Sequence, residues 1–170
     1  MRERIEKLVA WGEKNGLEID KDLFDIEAYE ADIKNGYPVD HVFEEDLGCA
    51  LREVGVGFEL EQGVCPSDYL PEIVKSCFSL VKDAEIQNIS VDSSDDWESA
   101  SVQLTLEGAA ESITIENVDN SDWIPDELWI ALKKFSEEKL PKVLFPLRAG
   151  ETVNVIYLPS SEVAVLNELI

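Results

Sequence analysis

The hydrophobic positions of this chain change period near its middle. In the first half they recur every three or four residues, the spacing of one helix face. Ile5, Leu8 and Val9 form such a stripe over 2–15, and Gly16 and Leu17 follow it. A glycine there can take the left-handed backbone that ends a helix, and the leucine can fold back on the helix end. Leu23, Ile26, Tyr29 and Ile33 predict a second helix over 22–34, stopped by Gly36 and Pro38. Phe43, Leu47, Ala50, Leu51 and Val54 predict a third, from Asp40 to Gly55. Asp40 suits its start because a carboxylate accepts the unpaired N–H groups of a first turn. Val56, Phe58 and Leu60 alternate with Gly57, Glu59 and Glu61, a short strand pattern. Pro66 and Ser67 open a fourth helix, firm over 71–82, with Val74, Cys77, Phe78 and Val81 as its buried stripe.

The second half reads with period two. Ile89 and Val91 mark one strand; Val102, Leu104 and Leu106 a half-buried second; Ile113 and Ile115 a third. A helix over 125–138 interrupts them. Pro125 stands in its first turn, Asp126 and Glu127 at the positive end of its dipole, and Lys133, Lys134 and Lys139 at the other. Leu128, Ala131, Leu132 and Phe135 face the core. Val143, Phe145 and Leu147 pair with Val153, Val155 and Tyr157 around a turn at 148–151. Ser160 or Ser161 caps a last helix carrying Val163, Leu166 and Leu169.

The expected fold is therefore α+β. N-terminal helices precede an antiparallel sheet of about five strands, with one intervening helix and a short C-terminal helix. The 170 residues fit a single domain over 1–170, helical over about 1–84 and sheet-rich over about 85–170.

Charge adds what periodicity does not. There are 37 acids against 14 bases, a formal net charge of −23. Such a chain repels phosphate backbones and anionic membrane surfaces, so direct nucleic-acid and membrane partners are not expected. Solubility alone, or a salt-rich habitat, produces the same composition; a basic protein partner is the functional reading. Cys49, Cys65 and Cys77 form no CxxC pair, and their odd number suits reduced thiols and a cytoplasmic home. Cys49 and Cys77 fall on apolar helix stripes, where packing is their expected role. The first residues carry no signal-peptide pattern, and no run reaches the roughly 18 apolar residues of a membrane span.

Candidate chemistry is sparse. His41 is the only histidine, so a Ser or Cys triad would depend on it alone. Gly55-Val56-Gly57 lacks the third glycine and following helix of a dinucleotide site. Asp92-Ser93-Ser94-Asp95-Asp96 offers oxygens at alternate positions. A calcium loop would also need glycine and glutamate where Trp97 and Gln103 stand. No catalytic residue, metal ligand or cofactor is expected.

The acids are unevenly distributed. Between Lys82 and Lys133 there is no lysine or arginine. If the three middle strands form a meander, the loops over 92–98 and 119–123 lie at one end of the sheet. The first holds Asp92, Asp95, Asp96, Trp97 and Glu98; the second holds Asp119, Asp122 and Trp123. An exposed tryptophan beside carboxylates has the makeup of an interface hot spot. The competing expectation is that both tryptophans fold back over the open sheet end.

Trp123-Ile124-Pro125-Asp126-Glu127-Leu128 opening a helix, and the 143–158 hairpin leading into 160–166, resemble the immunity proteins of bacterial toxin systems, including contact-dependent inhibition. The resemblance covers about half the chain. It implies a small acidic cytoplasmic α+β protein that blocks a cognate toxin domain, often a basic nuclease. It implies no catalytic motif, so no functional residue is carried over. Two other functions fit the composition: a nucleic-acid mimic that blocks a DNA- or RNA-binding protein, and a carboxylate- or metal-dependent enzyme.

Overall fold

The computed structural model of the chain describes residues 1–52, 55–59, 66–94, 99–116, 124–149 and 152–170. Its helical elements in the first half are α1 (Arg2–Lys14), a 3-10 turn (Lys21–Leu23), α2 (Ile26–Lys34), α3 (Asp40–Arg52) and α4 (Pro66–Ser79), with β1 (Val56–Glu59) between the last two. Then follow β2 (Ile86–Ser93), β3 (Ser99–Leu106), β4 (Ala109–Glu116), α5 (Asp126–Lys139), β5 (Val143–Ala149), β6 (Thr152–Leu158) and α6 (Ser160–Leu169). The α+β class stands.

The single sheet of about five strands does not. The described strands form two antiparallel sheets of three, in the orders β1-β6-β5 and β2-β3-β4. The reason lies in which faces are apolar. On β5, Val143, Phe145 and Leu147 join one core while Leu144 joins another. On β6, Ile156 and Leu158 join the first core while Val153 and Val155 join the second. Strands apolar on both faces must be covered on both. The β1-β6-β5 sheet is thus an inner layer. The first core lies beneath α1, α3 and α6, with Leu8, Phe43, Leu47, Leu51 and Leu166. The second lies beneath α4 and α5, with Val74, Phe78, Leu128 and Leu132, and includes Val102, Leu104, Ile113 and Ile115 of the meander. Helix α5 packs on both β4 and β5, which keeps the sheets apart.

Smaller differences have local causes. The predicted helix over 22–34 begins only at Ile26, because the Asp25 side chain accepts the Ala28 N–H at 3.0 Å and starts a new helix there. Leu23 consequently leaves the buried stripe for the 3-10 turn, and both it and Ile33 are exposed. Pro159, not a serine, stands at the N-cap of α6, with no side-chain cap. Cys77 is buried as expected, and burial pushes its thiol up to about 12. Cys49 is exposed, contrary to the stripe that included it: its position on α3 turns away from the core that Leu47, Ala50 and Leu51 enter. Cys65 and the His41 side chain lie outside the described residues. Gly55 admits β1 beside β6, since a Cβ there would overlap the Val155 carbonyl.

Candidate protein-binding surface

The β2-β3-β4 sheet is a meander built by alternation. Val102, Leu104, Ile113 and Ile115 fill its inner face. Its other face carries Ser90, Asp92, Gln103, Ser112, Thr114 and Glu116, all exposed. The register sets Asp92 opposite Ser101, and Ser101 opposite Thr114. Glu107 and Gly108, both at positive φ, make the two-residue turn between β3 and β4. Paired left-handed positions of this kind match the right-handed twist of a hairpin, and Gly108 takes its place without steric cost.

Strand directions bring Ser94, Ser99 and Glu116, the described residues that flank the acid-rich 95–98 and 117–123, to one end of this sheet. Ser99, at the start of β3, pairs with Glu116, at the end of β4. Ser94 and Ser99 close the base of the first segment. The Ser94 N–H donates to the Ser99 carbonyl at 2.9 Å, and the Ser99 N–H donates to Ser94 Oγ at 3.0 Å. Of the predicted contact residues, Asp92 is described: it is exposed and belongs to β2 rather than to a loop. Asp95, Asp96, Trp97, Glu98, Asp119, Asp122 and Trp123 lie outside the described residues.

The acids around this sheet divide by whether a base meets them. Glu111 accepts Lys139 Nζ at 3.0 Å, and Asp126 accepts Arg148 Nη2 at 3.1 Å. Asp83 accepts the Tyr157 hydroxyl at 2.8 Å and lies 3.2 Å from Lys142 Nζ. Burial alone would raise Asp83, but the Tyr157 hydroxyl and Lys142 ammonium outweigh it and hold the carboxyl below its usual range. Tyr157 is pushed up, by burial first and then by Asp83. By contrast, among the described residues no base pairs with Asp92, Glu116 or Glu127. Among the described residues no base offsets their charge, so these carboxylates do not hold the fold through ion pairs.

Two grooves were not anticipated by the sequence reading. One, of about 520 Å³, runs between β4 and α5, lined by Ser112, Thr114, Glu116, Glu127, Ile130, Ala131, Lys134 and Phe135 among others. Ile130, on the rim of this groove, is 65% exposed. It lies off the Leu128–Ala131–Leu132–Phe135 stripe, a clue to its exposure available in the sequence. The neighbouring Trp129 is buried and its ring centroid lies 5.5 Å from that of Phe58. The other groove, of about 750 Å³, runs between α1 and the Lys21–Glu27 segment. It is lined by Val9, Leu23 and Ile26, and by Arg2 and Lys21 together with Glu6, Glu13 and Asp25.

Among the described residues no three His, Cys, Asp or Glu gather as metal ligands. No helix formed by them is long and apolar enough to cross a membrane. In comparisons with known proteins, the chain matches no family model, no curated protein and no solved structure.

Proposed function

We propose that the chain is an acidic cytoplasmic binding protein that neutralises a basic protein partner, acting as an immunity protein that blocks a cognate toxin domain such as a nuclease. The observation that carries this reading is the outer meander. One face is polar and exposed, and among the described residues no base pairs with its acids Asp92 and Glu116. Ser94, Ser99 and Glu116, which flank 95–98 and 117–123 in sequence, lie at one sheet end; those stretches hold Asp95, Asp96, Glu98, Asp119 and Asp122 with Trp97 and Trp123. Unpaired surface carboxylates add little to stability, but they raise association rates and select partners of opposite sign. No catalytic chemistry is part of this reading.

Affinity capture from a lysate of the source organism tests it, run at low and at high salt with Asp92→Lys/Glu116→Lys in parallel. The expected result is one basic protein, released by salt, whose affinity for the double variant falls at least about tenfold, or 1.4 kcal/mol. A partner held equally well by the variant and at high salt would refute the reading.

A further inference from the structure

The two edges of the meander differ. β2 is interrupted by a register shift between Gln87 and Ser90, with Asn88 at φ 55°. A bulge of this kind protects an edge from pairing with other chains. β4 has no bulge, and its one inward-facing charge, Glu111, sits toward the hairpin turn and is paired with Lys139. Its eight residues, Ala109–Glu116, pair with β3 in unbroken register, without proline, lysine or bulge. Among the described residues no strand pairs with its outer side.

Hairpin geometry identifies the free groups. Leu106 and Ala109 flank a two-residue turn and so exchange hydrogen bonds with each other. Alternation then turns the N–H and C=O of Ala110, Ser112, Thr114 and Glu116 outward. The groove between β4 and α5 opens on this same row, and beyond it stands the exposed Ile130. An edge strand facing a helix across a groove suits strand addition. The backbone row supplies hydrogen bonds, and the helix side supplies contacts for alternate side chains.

We propose that β4 receives an extended strand of the basic partner, laid antiparallel or parallel to it in the groove against α5. Side chains of that strand would alternate. Apolar ones turn toward Ile130, Ala131 and Phe135, and cationic ones toward the open face with Thr114 and Glu116. Charge selects this occupant. The groove holds Glu116, Glu127 and Glu138 against Lys134, so its lining is net acidic. A second copy of the chain would bring two molecules of charge −23 together. The inference rests on the basic-partner reading for the sign of the incoming strand; the free edge and the groove are independent of it.

The probe is a blocked seven-residue peptide alternating valine and lysine, titrated into isotope-labelled protein and followed by NMR. Slowed exchange of the Ser112 and Thr114 amides is expected, with shifts at the Ile130 methyls. Thr114→Pro removes an outward donor while sparing the β3 ladder, and should weaken binding at least tenfold. Ile130→Ser, at a position too exposed to unfold the chain, should weaken it severalfold. A peptide with proline at its centre should fail to bind. Equal binding of that broken peptide, or no effect of either variant, would overturn the proposal in favour of general charge attraction. Equal binding of a valine–threonine peptide would keep the docking edge and remove the basic partner. Dimers of the free protein that Thr114→Pro dissolves would overturn it in favour of a second copy.

Discussion

The two sheets, each of three described strands, are opposite in how they are covered. In the inner β1-β6-β5 sheet, β5 and β6 carry apolar side chains in both directions and are covered on both faces. The outer β2-β3-β4 sheet is covered on one face and carries serines, threonines, glutamine and acids on the other. A buried leucine or isoleucine contributes about 1.5–3 kcal/mol, whereas an exposed polar side chain contributes little. The inner sheet therefore concentrates stability. The outer one leaves a face and an edge on which sequence can vary without cost to the fold, and those are available for recognition.

Substitutions can break this contrast. The largest effect is expected in the inner layer. Leu144→Ala and Ile156→Ala, at positions 1% exposed in opposite cores, should each lower unfolding free energy by about 2–5 kcal/mol in urea titrations. Losses below 1 kcal/mol would mean that the inner sheet is not the shared wall of two cores.

The next effect has the opposite sign. Asn154 is fully buried in β6, opposite Gly57 and Leu147, and among the described residues its Oδ1 has no hydrogen-bond partner. A buried polar atom left unpaired costs about 1–3 kcal/mol. Asn154→Leu should thus raise stability by about 1 kcal/mol. A clear loss would show that the amide is needed, and would mark a polar requirement inside the inner layer.

A smaller effect depends on pH. Asp83 links the start of the outer sheet to β6 through Tyr157. Its carboxyl is held below the usual value in the folded chain, while the unfolded value is about 3.9. Its stabilisation is therefore fully present above about pH 4 and fades as pH falls through the lower folded value. Asp83→Asn should flatten that part of the acid limb; an unchanged limb would mean that the Tyr157 and Lys142 contacts carry no weight in solution. The smallest effect is expected on the open face, where Gln103→Lys should move stability by less than about 0.5 kcal/mol. A loss beyond 2 kcal/mol would mean that this face is not free.

Much of this contrast was legible residue by residue. Val102, Leu104 and Leu106 alternate in sequence and line one face in the structure. The inner layer was partly legible too: Leu144, between Val143 and Phe145, makes β5 a continuous apolar run, the mark of a strand buried on both faces. Alternation of the flanking residues masked it. What local pattern could not supply is pairing across distance. β1 finds β6 across most of the chain, because the surface left on β6 is apolar and Gly55 permits close approach. For the candidate surface, the acids were visible in sequence and the common sheet end followed from strand direction. The β4–α5 groove was not visible, since it depends on how α5 lies across two sheets. Ile130 shows the limit well: its place off the helix stripe predicts exposure, but not what stands beside it.

Hydrogen exchange of the backbone amides, with and without the captured basic partner, tests the central claim most directly. Added protection is expected along β4 and at the Asp92 end of the meander, with the α1–α2 side unchanged. Protection gained in the groove between α1 and Lys21–Glu27, with β2, β3 and β4 unaltered, would contradict it.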